Sequence, residues 1–155
     1  MATFTANRAR PMAAGLLFLL ASACGGPDEG PEDAIRAWVR DGHLAAEAKD
    51  RGALLDMISP AYADARGNSR DDIGNMMRFY FLRQNKVVLI SRVDEVEIFG
   101  DSAANLVLQV GLAGSNDNVL GFSTDAYRFE MELEQDGSDW MLIAARWGGL
   151  GNEVH

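Results

Sequence analysis

Residues 127–134 read Tyr-Arg-Phe-Glu-Met-Glu-Leu-Glu, and this octet decides the fold class. Its odd-numbered positions are all apolar or aromatic, whereas its even-numbered positions are all charged. Successive side chains of a β-strand point to opposite faces, so this period of two predicts a strand with one face on a core and the other in water. Such half-solvated strands are typical of antiparallel sheets.

The same period runs from residue 86 to the end of the domain and predicts about four strands joined as a meander. In the first strand the apolar parity changes between Val93 and Val96, so we expect a bulge near 94–95. The second strand alternates over 104–112. Asp136-Gly137 is a strong hairpin signal between the third and fourth strands.

The fourth predicted strand, over 140–147, is apolar at both parities, as Leu142 and Ile143 illustrate. An antiparallel strand usually keeps one wet face, so this one is expected to be covered on both sides. The helices would cover one face, and the C-terminal tail 149–155 or a second subunit the other. A homodimer is therefore one expectation, although the like charges of 128–134 oppose a symmetric interface.

Three helices are predicted before the sheet. The first covers about 31–49, with a proline at its start and acidic residues in its first turn. A short second helix carries Leu54 and Ile58 on one face, and Ser69 is a candidate N-cap for a third helix that ends near Gln84. Three helices followed by an antiparallel sheet predict an α+β domain in which the sheet curls around the first helix.

The order of these elements, together with four short segments, resembles the nuclear transport factor 2-like superfamily, a cystatin-like α+β cone. The segments are 58–64, 69–73, 78–81 and 96–103. The resemblance covers about residues 32–148 and rests on packing patterns, not on a catalytic signature. It implies a cone-shaped domain of a kind found in isomerases, dehydratases, epoxide hydrolases and polyketide cyclases, and also in non-catalytic binding and assembly domains. More narrowly, the chain is similar to bacterial lipoproteins that carry this domain.

The N-terminal segment has the pattern of an export signal. Arg8 and Arg10 precede a short apolar stretch over 12–23, and the only cysteine, Cys24, follows directly. Small residues before that cysteine resemble a bacterial lipobox, although Ala21 stands where leucine is commonest. The apolar stretch is shorter than the ~20 residues that a spanning helix needs. A plain signal peptide for soluble secretion is the alternative, but it leaves a lone reactive thiol unexplained.

These features predict a domain organisation and a location. Residues 1–23 form the signal peptide, 24–31 a flexible tether, 32–148 the folded domain and 149–155 a tail. Cys24 is the predicted lipidation site, and by resemblance it would carry diacylglycerol and a further acyl chain such as palmitate. Gly25 follows the cysteine instead of an inner-membrane retention residue, which implies an outer-membrane anchor facing the periplasm. The alternative is a soluble periplasmic or secreted protein.

The charge of the chain excludes one class of partner. Asp and Glu number 23 against 14 Lys and Arg, for a net charge of −9. Binding to a phosphate backbone or to an anionic lipid surface depends on clusters of basic residues, so the net acidity opposes both, and nucleic acid is a poor partner for this chain. The ordinary role of such acidity is to keep the surface soluble.

Candidate catalytic residues are few. His43 on the first helix could act as a general base at a cavity mouth, but the sequence identifies no carboxylate to orient it. Tyr62 and Asp64 could form an acid–base pair, although a turn-stabilising Asp64 with a packed Tyr62 is the preferred interpretation. Arg146 shares a parity with apolar residues of the last strand and is a candidate cavity residue, with solvent exposure favoured. Residues 116–118 lack the pattern of a calcium loop, and no metal or cofactor is predicted.

The sequence therefore favours a non-catalytic function. We expect a membrane-tethered periplasmic domain that binds a small apolar ligand or a partner protein of the envelope. One alternative is an isomerase, dehydratase or hydrolase that uses polar residues inside the cone. Another is a structural assembly factor of the envelope.

Overall fold

A computed structural model describes residues 30–115 and 123–151. The predicted signal peptide, Cys24, most of the tether, the loop 116–118 and the end of the tail lie outside the described residues. Within the described part of the chain, no helix combines the length and hydropathy needed to cross a bilayer.

Three helices come first, as predicted: α1 at Pro31–Glu47, α2 at Arg51–Asp56 and α3 at Arg70–Arg83. Pro31 occupies the first turn of α1, where its missing N–H costs no hydrogen bond. The side chain of Asp50 caps α2. Ile58, predicted on this helix, lies beyond its end and forms an isolated bridge with Leu142. Ser69 caps α3 and forms a reciprocal capping box with Asp72, which confirms the N-cap predicted from the sequence.

Four antiparallel strands follow in the order β1-β2-β3-β4, so the predicted meander is confirmed. Their bounds are β1 Lys86–Phe99, β2 Ala103–Ser115, β3 Ser123–Asp136 and β4 Asp139–Gly149. The predicted bulge in β1 lies between Val93 and Glu95. The fold class is thus α+β, with three helices packed on one face of a four-stranded open sheet.

The core lies between the helices and the concave face of the sheet. Ile35 of α1, Leu106 of β2 and Leu133 of β3 are almost completely buried there. Inward side chains of all four strands pack around them, and the opposite face of the sheet carries the charged residues of β3. The arrangement agrees with the alternation in residues 127–134.

The fourth strand contains a bulge that its sequence does not reveal. Glu132 pairs with Ala144 but Leu133 pairs with Leu142, so Ile143 is an extra residue. Core-facing residues precede and follow it, with Leu142 on one side and Ala145 on the other. The two apolar parities therefore belong to one inward face that changes register. Covering β4 on both sides is not required, and that expectation is corrected.

The free edge of β4 is covered by residues 57–65, which run alongside it. Leu142 donates its backbone N–H to Met57, and the backbone N–H groups of this segment bond in turn to β4 carbonyl groups. The acceptors of those bonds are Leu142, Ile143 and Ala145. This segment covers the edge of β4 and not the face that we expected the tail or a second subunit to cover. Homodimerisation stays a prediction, but the apolar second face of β4 no longer supports it.

Candidate functional site

A cavity of about 570 Å³ opens between the helices and the concave face of the sheet. Most of the side chains around it are apolar, and they come from α1, α3 and the inward positions of β1 to β4. They include Trp38, His43, Met77, Phe81, Ser91 and Val110. The volume and the apolar lining are those of a site for a small organic molecule.

The sequence creates this cavity by placing flexible and aromatic residues where the sheet curves away from the helices. Met76, Met77 and Phe81 of α3 line one wall, and Val110 and Phe129 of the sheet line another. Because methionine and phenylalanine present only apolar surface, these walls offer few hydrogen bonds to a ligand. Polar contacts must come from a small number of side chains.

Three polar groups form a connected set at the α1 and β1 side of the cavity. His43 Nδ1 lies 3.1 Å from the hydroxyl oxygen of Ser91, and His43 Nε2 lies 3.5 Å from Glu47 Oε1. When Nε2 carries the proton, it faces the carboxylate, and Nδ1 accepts the hydrogen bond that Ser91 donates. His43 and Ser91 line the cavity.

Glu47 is held in place by the sheet as well as by the helix. Its Oε1 accepts a hydrogen bond of 3.0 Å from the backbone N–H of Leu89. It follows His43 by four residues on α1, which places the two side chains on neighbouring turns of one face. The structure therefore supplies the orienting carboxylate that the sequence did not identify.

The indole N–H of Trp38 has no hydrogen-bond partner among the described residues, although its nitrogen is buried. A buried donor without an acceptor typically costs about 1–3 kcal/mol, so such groups are rare and call for an explanation. Gln84 Oε1 is also buried without a hydrogen-bond partner among the described residues, but of the two residues only Trp38 lines the cavity. An acceptor atom of a bound molecule would satisfy the indole.

Tyr62 and Asp64 do not line this cavity. Asp64 Oδ1 accepts hydrogen bonds from the backbone N–H groups of Arg66 and Asn68, and its Oδ2 accepts one from the Asn68 side chain. Three of the roughly four acceptor sites of the carboxylate are used in this way, so Asp64 organises a turn. Burial, reinforced by the nearby charge of Asp64, raises the pKa of the Tyr62 phenol.

Arg146 lies on the outer face of the sheet, not in the cavity. Its guanidinium group donates to Glu130 at 3.0 Å, and its side chain is 58% exposed. The parity that would have directed it inward is reversed by the bulge at Ile143. The inward placement considered for Arg146 is therefore corrected.

The outer face has a shallow concavity of its own, about 490 Å³ in volume, lined by Arg146, Asp64 and four glutamates. The glutamates are Glu95, Glu97, Glu130 and Glu132. Among the residues that the structure describes, no three His, Cys, Asp or Glu side chains are grouped so as to hold a metal ion.

Sequence reasoning missed three residues of the cavity site, and two of them left a signal. Glu47 could have been found from its spacing of four residues after His43. Ser91 is the one polar side chain on the apolar parity of β1. Trp38 was recognised only as an apolar residue of α1, because the lack of a partner for an N–H group cannot be read from a sequence.

Comparison with known proteins finds this fold in solved structures of low sequence identity. A candidate scytalone dehydratase from Novosphingobium aromaticivorans matches with a TM-score of 0.70 at 8% identity, over 80% of this chain and 85% of its own. A ketosteroid isomerase-like protein from Erwinia carotovora atroseptica gives 0.62 at 12% identity, over 77% and 95%. A candidate dehydratase of the NTF2-like family from Streptomyces avermitilis gives 0.66 at 10% identity, over 78% and 97%.

Identities this low establish the fold alone, and that fold is the NTF2-like cone. No protein-family model matches the sequence. No curated protein is significantly similar to it. The chemistry of this chain must therefore be argued from its own site.

Proposed function

We propose that this domain binds a small, largely apolar molecule that carries a hydrogen-bond acceptor. The observation that carries the proposal is a largely apolar cavity of about 570 Å³ whose lining includes Trp38, a residue with a buried indole N–H that has no partner among the described residues. Burial of apolar surface would supply most of the affinity, at about 25 cal/mol per Å² removed from water. The indole would favour ligands with a carbonyl or ether oxygen over plain hydrocarbons.

Binding without reaction is the function that the lining favours. His43 is the one side chain of His, Asp, Glu or Lys among the described residues that line the cavity. General acid–base catalysis draws most often on His, Asp, Glu or Lys, and the hydroxyl-bearing residues of the lining are Ser91, Tyr80 and Tyr127. The dehydratase and isomerase names of the structural neighbours are compatible with either function, because the fold alone does not decide between them.

A pair of ligands tests the role of Trp38. We expect calorimetry to show that Trp38→Phe, which keeps an aromatic ring but removes the N–H, lowers the preference of the full chain for a medium-chain ketone over the matching alkane about fivefold, since one hydrogen bond contributes about 1 kcal/mol. Trp140→Phe makes the same change at a buried position that does not line the cavity and should preserve the preference. An equal preference in the wild type and in Trp38→Phe would refute the proposal.

A second candidate function is proton transfer by His43, and the contacts of His43 with Ser91 and Glu47 favour it. Glu47 would orient the imidazole, as the carboxylate does in other acid–His pairs. The variant His43→Gln distinguishes the two functions if it still binds the ligand, because its turnover can then be compared with that of the wild type. Loss of turnover by several orders of magnitude on any converted ligand would establish catalysis, and ligand recovered unchanged from the wild type would support binding alone.

We further propose that the domain is tethered to the periplasmic face of an outer membrane through acylated Cys24. The proposal is supported by the signal-like segment and by the position of the single cysteine. Two or more acyl chains anchor a protein stably, whereas one gives only marginal binding. Cys24→Ser should release the protein from the membrane fraction. Retention of that variant through salt and carbonate washes would contradict the proposal.

A further inference from the structure

The last two turns of α3 expose large apolar side chains to solvent. Phe79 is 69% exposed, Leu82 is 74% exposed and Met76 is 45% exposed. They follow one another at steps of three residues, so they lie along one side of the helix. Exposed aromatic and aliphatic side chains on one helix side indicate an interaction surface more often than chance exposure does.

Three cations accompany these side chains. Arg78, Arg83 and Lys86 are exposed, and none of them has an ion-pair partner among the described residues. Most of the other described arginines do form an ion pair with a carboxylate. The paired ones are Arg36, Arg70, Arg92, Arg128 and Arg146. No acidic residue occurs in the sequence between Asp72 and Asp94. The end of α3 is thus a local cationic region on an acidic protein.

The acidic groups of α3 itself, and the one of α1 that reaches β1, are engaged away from this region. Asp71 and Asp72 lie in the first turn of α3, at the opposite end of the helix, and Asp72 is bonded to Ser69. Glu47 reaches the start of β1, but its carboxylate accepts the Leu89 N–H and faces His43. Charges more than about 10 Å away are screened at physiological salt, so the local cations dominate the potential at the end of α3.

We propose that this surface, formed by Met76, Arg78, Phe79, Leu82, Arg83 and Lys86, docks on an anionic lipid bilayer. Apolar side chains flanked by cations are the composition of helices that lie in the membrane interface. The apolar groups would enter the headgroup region while the cations pair with lipid phosphates, each cation contributing about a fivefold increase in affinity. The proposal does not depend on what the cavity binds.

A second copy of this chain fits the surface less well than a bilayer does. A symmetric interface would bring the three cations of one copy against those of the other, and this like-charge contact is unfavourable. An anionic bilayer offers negatively charged headgroups next to an apolar hydrocarbon layer. Docking would also set the wall of the cavity against the membrane, because Met77 and Phe81 of the same helix line the cavity.

Hydrogen exchange of the full chain in vesicles tests this surface. The protein is reconstituted in phosphatidylcholine vesicles and in vesicles that also contain phosphatidylglycerol. We expect backbone amides of 76–86 to exchange more slowly in the anionic vesicles only, and high salt to remove this protection. In the triple variant Arg78→Gln, Arg83→Gln, Lys86→Gln, the affinity of this surface for the anionic bilayer should fall by about two orders of magnitude.

Matched controls separate a lipid surface from other causes. The triple variant Arg36→Gln, Arg40→Gln, Arg92→Gln changes the net charge equally but lies elsewhere, so it should dock like the wild type. Phe79→Glu should abolish the protection, and Phe99→Glu, at the far end of β1 and 46% exposed, should preserve it. Equal exchange in both vesicle types would overturn the proposal. Protection that rises with protein density in neutral vesicles would overturn it in favour of a second copy.

Discussion

Asp64 is a buried carboxylate whose three short hydrogen bonds hold the turn that precedes α3. The donors are the N–H groups of Arg66 and Asn68 and the side-chain amide of Asn68, at 2.7 to 2.8 Å. Since all of them would lose their acceptor, Asp64→Ala should lower the free energy of unfolding by about 2–4 kcal/mol. Asp64→Asn retains one oxygen and should lose less. Urea denaturation measures both, and an Asp64→Ala variant as stable as the wild type would contradict this structural role.

The capping box of α3 gives a prediction about acid stability. Hydrogen bonds from the Ser69 hydroxyl and the Ser69 backbone N–H lower the pKa of Asp72 below that of an ordinary carboxyl group. Because the folded-state pKa is depressed, the contribution of Asp72 is fully present above the unfolded pKa and is lost as the pH falls through the folded pKa.

Ser69→Ala should therefore destabilise the protein at neutral pH by about 1 kcal/mol, as loss of an N-cap does. The difference from the wild type should shrink in acid, where Asp72 is protonated in both proteins. Thermal unfolding at neutral and acid pH measures this difference. A gap that stays constant down to the lowest pH would show that Asp72 takes no part in the cap.

At the scale of single residues, the sequence identified which side chains deserved attention but not what they contact. His43 was recognised, and its i+4 partner Glu47 could have been. The hydrogen bond between His43 and Ser91 joins α1 to β1 across 48 positions of sequence, and no local sequence pattern predicts such a pairing. The turn role preferred for Asp64 was predictable, because aspartate often accepts backbone N–H groups two residues further along the chain.

At the scale of elements, the two bulges show when a register change can be read from a sequence. In β1 polar and apolar residues alternate, so the slip between Val93 and Glu95 changes a visible pattern. In β4 residues 140–145 are all apolar, and an extra residue at Ile143 leaves no mark. Solvent exposure was the favoured placement of Arg146, but the register that puts it on the outer face could not be predicted from the sequence.

The β4 bulge predicts unequal costs for a buried charge at adjacent positions. Leu142 is 8% exposed and belongs to the core, whereas Ile143 is the extra, only partly buried residue. Leu142→Asp should destabilise by about 3–5 kcal/mol, because it buries an unpaired charge. Ile143→Asp should cost about 1–2 kcal/mol, because water can reach the carboxylate. Equal losses in chemical denaturation would show that Ile143 is as deeply buried as Leu142.

At the scale of the whole molecule, element order and period were sufficient to predict the fold. Every helix and strand was foreseen, because each has its own cap, turn or alternation. The cavity was not, since its volume depends on how far the curved sheet stands from α1 and α3. Small differences in side-chain size at many positions set that distance, and no single residue reveals it.

If the cone cavity binds apolar molecules, as we propose, it should take up the neutral fluorescent probe N-phenyl-1-naphthylamine. Val110→Phe adds volume inside the cavity, whereas Val88→Phe makes the same change on β1 at an exposed position outside it. We predict saturable probe binding to the wild type and to Val88→Phe, and at least about tenfold weaker binding to Val110→Phe, a loss of about 1.4 kcal/mol. Equal binding to all three proteins, or no saturable binding to any of them, would contradict the claim.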